Sequence, residues 1–142
     1  MTGVQTCALP ICPVTVGTST WISVKAGLSY TMALSSDYSL FTWGYNDASV
    51  TGDGTRAHRS SPVQLPSGSA NSWAVISTNK SNIFAIRSEG ALWAAGLNSS
   101  GQLAQGVGNT TNRSSMVQIG TSSWSQVAAG SSHILEIGRA HV

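Results

Sequence analysis

Pro13-Val14-Thr15-Val16-Gly17-Thr18-Ser19-Thr20-Trp21 returns near the far end of the chain as Met116-Val117-Gln118-Ile119-Gly120-Thr121-Ser122-Ser123-Trp124. A second stretch overlaps it. Arg59-Ser60-Ser61-Pro62-Val63-Gln64-Leu65 returns as Arg113-Ser114-Ser115-Met116-Val117-Gln118-Ile119. Trp21, Trp73 and Trp124 therefore head three copies of one pattern, at steps of 52 and 51 residues. A fixed period of this length marks a solenoid, propeller or array, built from units that cannot bury their apolar face alone.

Within one copy the signals are those of short strands. Apolar residues at helical spacing do not persist, because Gly or Ser interrupts every stretch. Strand-like runs fall at 21–24, 30–34, 40–43 and 63–65, and again at 73–76, 83–86, 92–95 and 117–119. Tyr30-Thr31-Met32-Ala33-Leu34 alternates large and small, as a half-buried strand does. Ser36-Asp37 and Glu89-Gly90 mark turns between the second and third strands. Gly52-Asp53-Gly54 and residues 109–115 lie between the third and fourth. Four short strands per repeat is the content of one propeller blade. Gly44 and Gly96 follow the third strand at equivalent places, and Gly27 and Gly130 follow the first. These are sites for positive φ or close backbone approach. The repeated tryptophans read as packing between blades, each with about 150–250 Å2 to bury.

These residues resemble the regulator-of-chromosome-condensation repeat family. The first copy carries Trp21, Val24, Ala26-Gly27, Thr31, Ala33-Leu34, Asp37, Leu40, Trp43-Gly44, Asn46, Gly52-Asp53-Gly54 and Pro62-Val63. The second carries Trp73, Ile76, Ala85-Ile86, Glu89-Gly90, Leu92, Gly96, Asn98 and Gly101-Gln102-Leu103; the third start carries Trp124, Val127, Ala129-Gly130 and His133. The copies also depart from the pattern. Thr78-Asn79 replaces Ala-Gly, Tyr30 and Asn82 stand where His133 fits, and Ser49-Val50-Thr51 replaces Gly-Gln-Leu. The resemblance implies an all-β fold: a partial β-propeller of four-stranded antiparallel blades, an arc of a ring that usually has seven. The chain divides into the tail of a preceding repeat (13–20), repeat one (21–72), repeat two (73–123) and the start of a third (124–135).

The two ends do not follow the repeat. Met1-Thr2-Gly3-Val4-Gln5-Thr6-Cys7-Ala8-Leu9-Pro10-Ile11 resembles the translation of one strand of a common short-read sequencing adapter. Glu136-Ile137-Gly138-Arg139-Ala140-His141-Val142 resembles the opposite strand. Segments 1–12 and 136–142 are accordingly set apart from the fold as adapter-derived, as any foreign fused segment is. Cys7 and Cys12 then do not bear on redox compartment. An arc with open outer faces is expected to be weakly stable or to aggregate.

Composition and motifs narrow the chemistry. Charged residues make up only 8% of the chain, but five Trp and 41% hydrophobic residues argue for a packed core over disorder. Lys25, Arg56, Arg59, Lys80, Arg87 and Arg113 are scattered and form no basic stripe, so no nucleic-acid partner is expected. No run reaches the ~18 apolar residues of a membrane span. No Gly-x-Ser-x-Gly elbow or phosphate-cradling loop occurs. His58 reads as a solvated loop residue and His133 as a structural one. Asp37 and Glu89 are equivalent turn positions rather than an acid/base pair. Asp47 and Asp53 do not have calcium-loop spacing. No catalytic, cofactor-binding or metal residue is assigned. Asn79, Asn98, Asn109 and Asn112 begin glycosylation sequons, a frequent chance product in a chain rich in Asn, Ser and Thr.

The reading that follows is a non-enzymatic protein-interaction scaffold with a protein partner. Its candidate contact loops are residues 45–61 and 97–115, which differ most between copies. The family resemblance implies two alternatives: guanine nucleotide exchange on a small GTPase, and enzyme inhibition by a propeller face.

Overall fold

The computed structural model describes residues 16–47, 49–66, 72–131 and 133–138. Segment 1–12, residues 13–15 of the preceding tail, and residues 139–142 lie outside the described residues. Among the described residues, ten strands follow in chain order. Blade one is β1 (Trp21–Ala26), β2 (Tyr30–Ser35), β3 (Leu40–Gly44) and β4 (Arg59–Gln64). Blade two is β5 (Trp73–Thr78), β6 (Asn82–Arg87), β7 (Leu92–Gly96) and β8 (Arg113–Gln118). A half-blade holds β9 (Trp124–Ala129) and β10 (Ile134–Gly138). Each full blade is an antiparallel meander in which every strand pairs with its sequence neighbour. The molecule is a partial β-propeller, as the repeat implied.

The period survives in fine detail. The first strand bulges just after Trp21, after Trp73 and after Trp124. The third-to-fourth pairing shifts at Gly44, opposite Arg59, and at Gly96, opposite Arg113. A Cβ on Gly44 would lie 2.6 Å from the Ser29 carbonyl oxygen, and one on Gly96 would lie 2.2 Å from that of Ser81. Glycine is fixed there by main chain, as its position after the strand suggested.

Two boundaries differ from expectation. The fourth strands begin at Arg59 and Arg113, four residues before the apolar runs at 63–65 and 117–119. Arg-Ser-Ser carries no strand-like patterning, yet Gly44 and Gly96 extend the ladder across it. The loops proper are therefore 45–58 and 97–112. Strand β10 pairs with β9 from Ile134 through Gly138.

The core lies between blades. Met32, Leu34 and Leu40 of blade one meet Trp73, Ile76, Ile83 and Ala85 of blade two. On the other side, Phe84, Ile86, Leu92 and Ala94 meet Val127, Trp124 and Ile134 of the half-blade. Strand β6 is thus covered on both faces. So is β2, where Ala33 is as buried as Met32, so its alternation sorts side chains by size and not by exposure. The contacts between blades run from β1 and β2 to β5, and from β5 and β6 to β9.

Candidate interaction surface

Each third-to-fourth-strand loop is built on one buried asparagine. The Oδ1 of Asn46 accepts from the Thr51 amide at 3.1 Å. Its Nδ2 donates to Asp53 Oδ1 and to the carbonyls of Thr55 and Ala57, at 3.1–3.3 Å. Asn98 repeats the arrangement. Its Oδ1 accepts from the Leu103 amide at 2.8 Å, and its Nδ2 donates to the Asn109 carbonyl at 2.8 Å. Both side chains are fully buried. A buried amide survives only where its groups are paired, so the loop backbone must wrap around it. Asn46 and Asn98 were legible as repeat residues, but not as the anchors of the loops.

The two loops lie side by side. Gly54 N–H donates to the Ser114 carbonyl at 2.8 Å, and Asp53 bridges Ser115 in antiparallel fashion. Between them opens a cleft of about 430 Å3, with Asp47, Thr55, Arg56, Leu97, Asn112 and Ser114 among its walls. The structure therefore joins the two sequence-predicted contact loops into one surface.

Above this matched base the chemistry diverges. In blade one, Arg59 Nε donates to Asp53 at 3.0 Å; in blade two, Arg113 Nε donates to Gln105 at 2.7 Å. Burial alone would raise the Asp53 carboxyl. The amide and hydroxyl of Thr55 and the Arg59 guanidinium outweigh it and hold the group below its ordinary value.

His58 is exposed but not idle. Its Nδ1 accepts from the Asn46 amide at 3.0 Å, the role that Asn112 Oδ1 plays for Asn98 at 2.7 Å. Its Nε2 lies 3.3 Å from Asp47, and its ring stacks on Tyr45 at 4.7 Å. The Tyr45 hydroxyl also donates to Asp47, and this hydrogen bond, with the carboxylate charge, raises the phenol above its ordinary value. His58 Nδ1 is occupied by main chain, and its ring and Nε2 contact Tyr45 and Asp47, so the cluster holds the loop.

Other sequence candidates are separate from this surface. Asp37 caps its own turn through Ser35 and Ser39, and the Ser35 hydroxyl is the main cause of its lowered carboxyl. The His133 ring lies over Gly130, where an added Cβ would approach it to 2.6 Å. Sequence reasoning missed Arg87, whose guanidinium sits 4.7 Å from the Trp73 ring centre and 4.9 Å from that of Trp93. Among the described residues, no three His, Cys, Asp or Glu gather as metal ligands, and no helix is long and apolar enough to cross a membrane.

No protein-family model matches the chain. Over 115 residues it is 27% identical to the human and mouse E3 ubiquitin-protein ligase HERC2, covering 80% of this chain but 2% of theirs. The fold is similar to that of human WBSCR16, with TM-score 0.75 and 19% identity over 86% of this chain and 31% of that one. It is similar to yeast RCC1 (Prp20) in complex with Kap60, with TM-score 0.71 and 19% identity over 82% of this chain and 29% of that one. The structure of Saccharomyces cerevisiae Prp20p gives TM-score 0.68 and 18% identity, over 82% of this chain and 31% of that one. The chain thus spans under a third of the solved propellers it matches. Its blades resemble repeats of the regulator-of-chromosome-condensation type, and the chain is a propeller repeat protein.

Proposed function

We propose that this chain is part of a non-enzymatic interaction scaffold that binds a protein through its paired loops. One observation carries the reading. The two loops that differ most between repeats stand side by side on matched asparagine anchors, so variable side chains ride on a constant frame. Tyr45 and Val107 are exposed there, and Arg56 lines the cleft. Tyrosine and arginine are enriched where protein interfaces concentrate binding energy. The test is retention of proteins from source-cell lysate by the chain and by a variant with Arg56→Ala and Val107→Ser. A bound protein should be lost from the variant while its melting temperature is unchanged. Equal retention by the variant would sink the reading.

Guanine nucleotide exchange on a small GTPase is the second reading. The likeness to Prp20p favours it, since that structure is described with its binding to Gsp1p and histones. Faster nucleotide release from a small GTPase in the presence of the longer protein would support it. An unchanged release rate would remove it.

A further inference from the structure

We propose that His58 is a proton-operated latch on the first contact loop: protonation of its ring releases the main chain at Asn46 and reshapes the cleft between the two loops. The geometry leaves one tautomer for the neutral ring. Nδ1 accepts from the Asn46 amide at 3.0 Å, so it carries no hydrogen. The ring proton is then on Nε2, 3.3 Å from Asp47 Oδ1. A second proton can go only to Nδ1. There it meets the Asn46 N–H head-on, and an imidazolium has no acceptor to offer. The Asp47 contact pulls the other way, because a cation on the ring strengthens it. Protonation therefore does not eject the ring. It exchanges a bond to the main chain at Asn46 for a tighter pairing with Asp47.

The second repeat holds the same joint with a fixed acceptor. The residue before the first arginine of the fourth strand is His58 in one loop and Asn112 in the other. Asn112 Oδ1 accepts from the Asn98 amide at 2.7 Å, and a carboxamide does not titrate. Release at Asn46 reaches the whole loop. Its side chain holds Thr51, Asp53, Thr55 and Ala57. Asp47, the next residue, lines the cleft together with Arg56.

Histidine is the side chain that changes charge over about pH 5–8. The groups around it set no rival switch in that range. Burial would raise the Asp53 carboxyl, but Thr55 and Arg59 hold it below its ordinary value, so it stays charged. The hydrogen bond to Asp47, with the carboxylate charge, raises the Tyr45 phenol, so it stays neutral. The facing cations are Arg56 on the cleft and, from the next blade, Lys80, which shares a small cavity with Tyr45. Residues 97–112, on the opposite side of the cleft, contain no ionisable side chain.

Only the effect of the latch on a partner rests on the reading of the loops as a binding surface; the latch is tested without one. The measurement is amide hydrogen exchange by NMR, corrected for the intrinsic pH dependence of exchange. Protection of the Asn46 amide should fall about tenfold from about pH 8 to about pH 5, as one lost hydrogen bond dictates. The Asn98 amide should hold level over the same range. In His58→Asn, which keeps a δ oxygen acceptor but cannot titrate, the Asn46 amide should hold level as well. Constant Asn46 protection in the parent chain would overturn the proposal. So would an equal fall at Asn98, or a fall at Asn46 that persists in His58→Asn.

Discussion

Tyr38, Ser49 and Ala104 hold left-handed backbone, with φ of 61°, 58° and 49°. Each stands where the other repeat has glycine: Gly90, Gly101 and Gly52, with φ of 93°, 75° and 73°. A residue with a Cβ pays about 1–2 kcal/mol for this conformation, and glycine gives part of that back as chain entropy. Ala104→Gly, at an exposed site, is expected to stabilise the chain by about 0.5–1 kcal/mol. A melting temperature that stays level or drops would refute this. Glu136 shows the opposite kind of misfit. Its counterparts Ala33 and Ala85 are fully buried, and its own Oε1 is buried without a hydrogen-bond partner. Burial raises this carboxyl above its ordinary value. The folded chain then holds the proton more tightly than the unfolded one. That stabilisation is complete below the ordinary glutamate range and is lost as pH rises through the folded value. Glu136→Gln should therefore melt higher than the parent near neutral pH, and the gap should close on acidification.

At the scale of elements, the seam between blades explains departures that looked unrelated in the sequence. Gly27 and Gly130 each sit under a ring, from Tyr30 and His133, within 2.2 Å and 2.6 Å of where a Cβ would be. Blade two has Asn82 in place of the ring and Asn79 in place of the glycine. Asn79 Nδ2 donates to the Gly130 carbonyl at 2.9 Å, as the Tyr30 hydroxyl donates to the Asn79 carbonyl at 3.0 Å. The donor has moved three residues along the chain, and the bond across the seam is kept. Asn79→Gly should lose that bond, and Asn82→Tyr should clash with the Asn79 side chain. Together they should recover, with favourable coupling of about 1 kcal/mol in a double-mutant cycle. Additive losses would refute the pairing. The loop anchors give a second element-scale expectation. Asn98→Ala strands the Leu103 amide and the Asn109 carbonyl, and should cost about 2–3 kcal/mol in denaturant unfolding. A loss under 1 kcal/mol would be too small for an anchor. Strand cores and turns were legible because they obey local rules: alternation, glycine, Asp-Gly-like pairs. The starts of β4 and β8 were not, since Arg-Ser-Ser pairs only because Gly44 and Gly96 bend the ladder to meet it. Nor was the joining of the two loops, which depends on contacts between repeats.

The whole molecule keeps its cores in the seams, so its stability is shared between neighbours as in other repeat proteins. Breaking a seam should then cost more than loosening a blade edge. Ile76→Ala, in the seam, is expected to lower stability by about 2–4 kcal/mol, and Val24→Ala, at the equivalent open position, by well under 1 kcal/mol. Equal effects in thermal unfolding would contradict a seam-borne core. The seam bonds also bear on how such a chain can change over generations. In the bonds that Tyr30 and Asn79 donate, the acceptor is a main-chain carbonyl of the next blade, present whatever residue stands there. The two side chains that must agree, at 27 and 30 or at 79 and 82, lie three residues apart in a single repeat and are inherited together. Unequal recombination at the repeat period can therefore add or delete a blade without breaking these two bonds. Each copy is free to drift into its own seam chemistry, which is the pattern of divergence these repeats display.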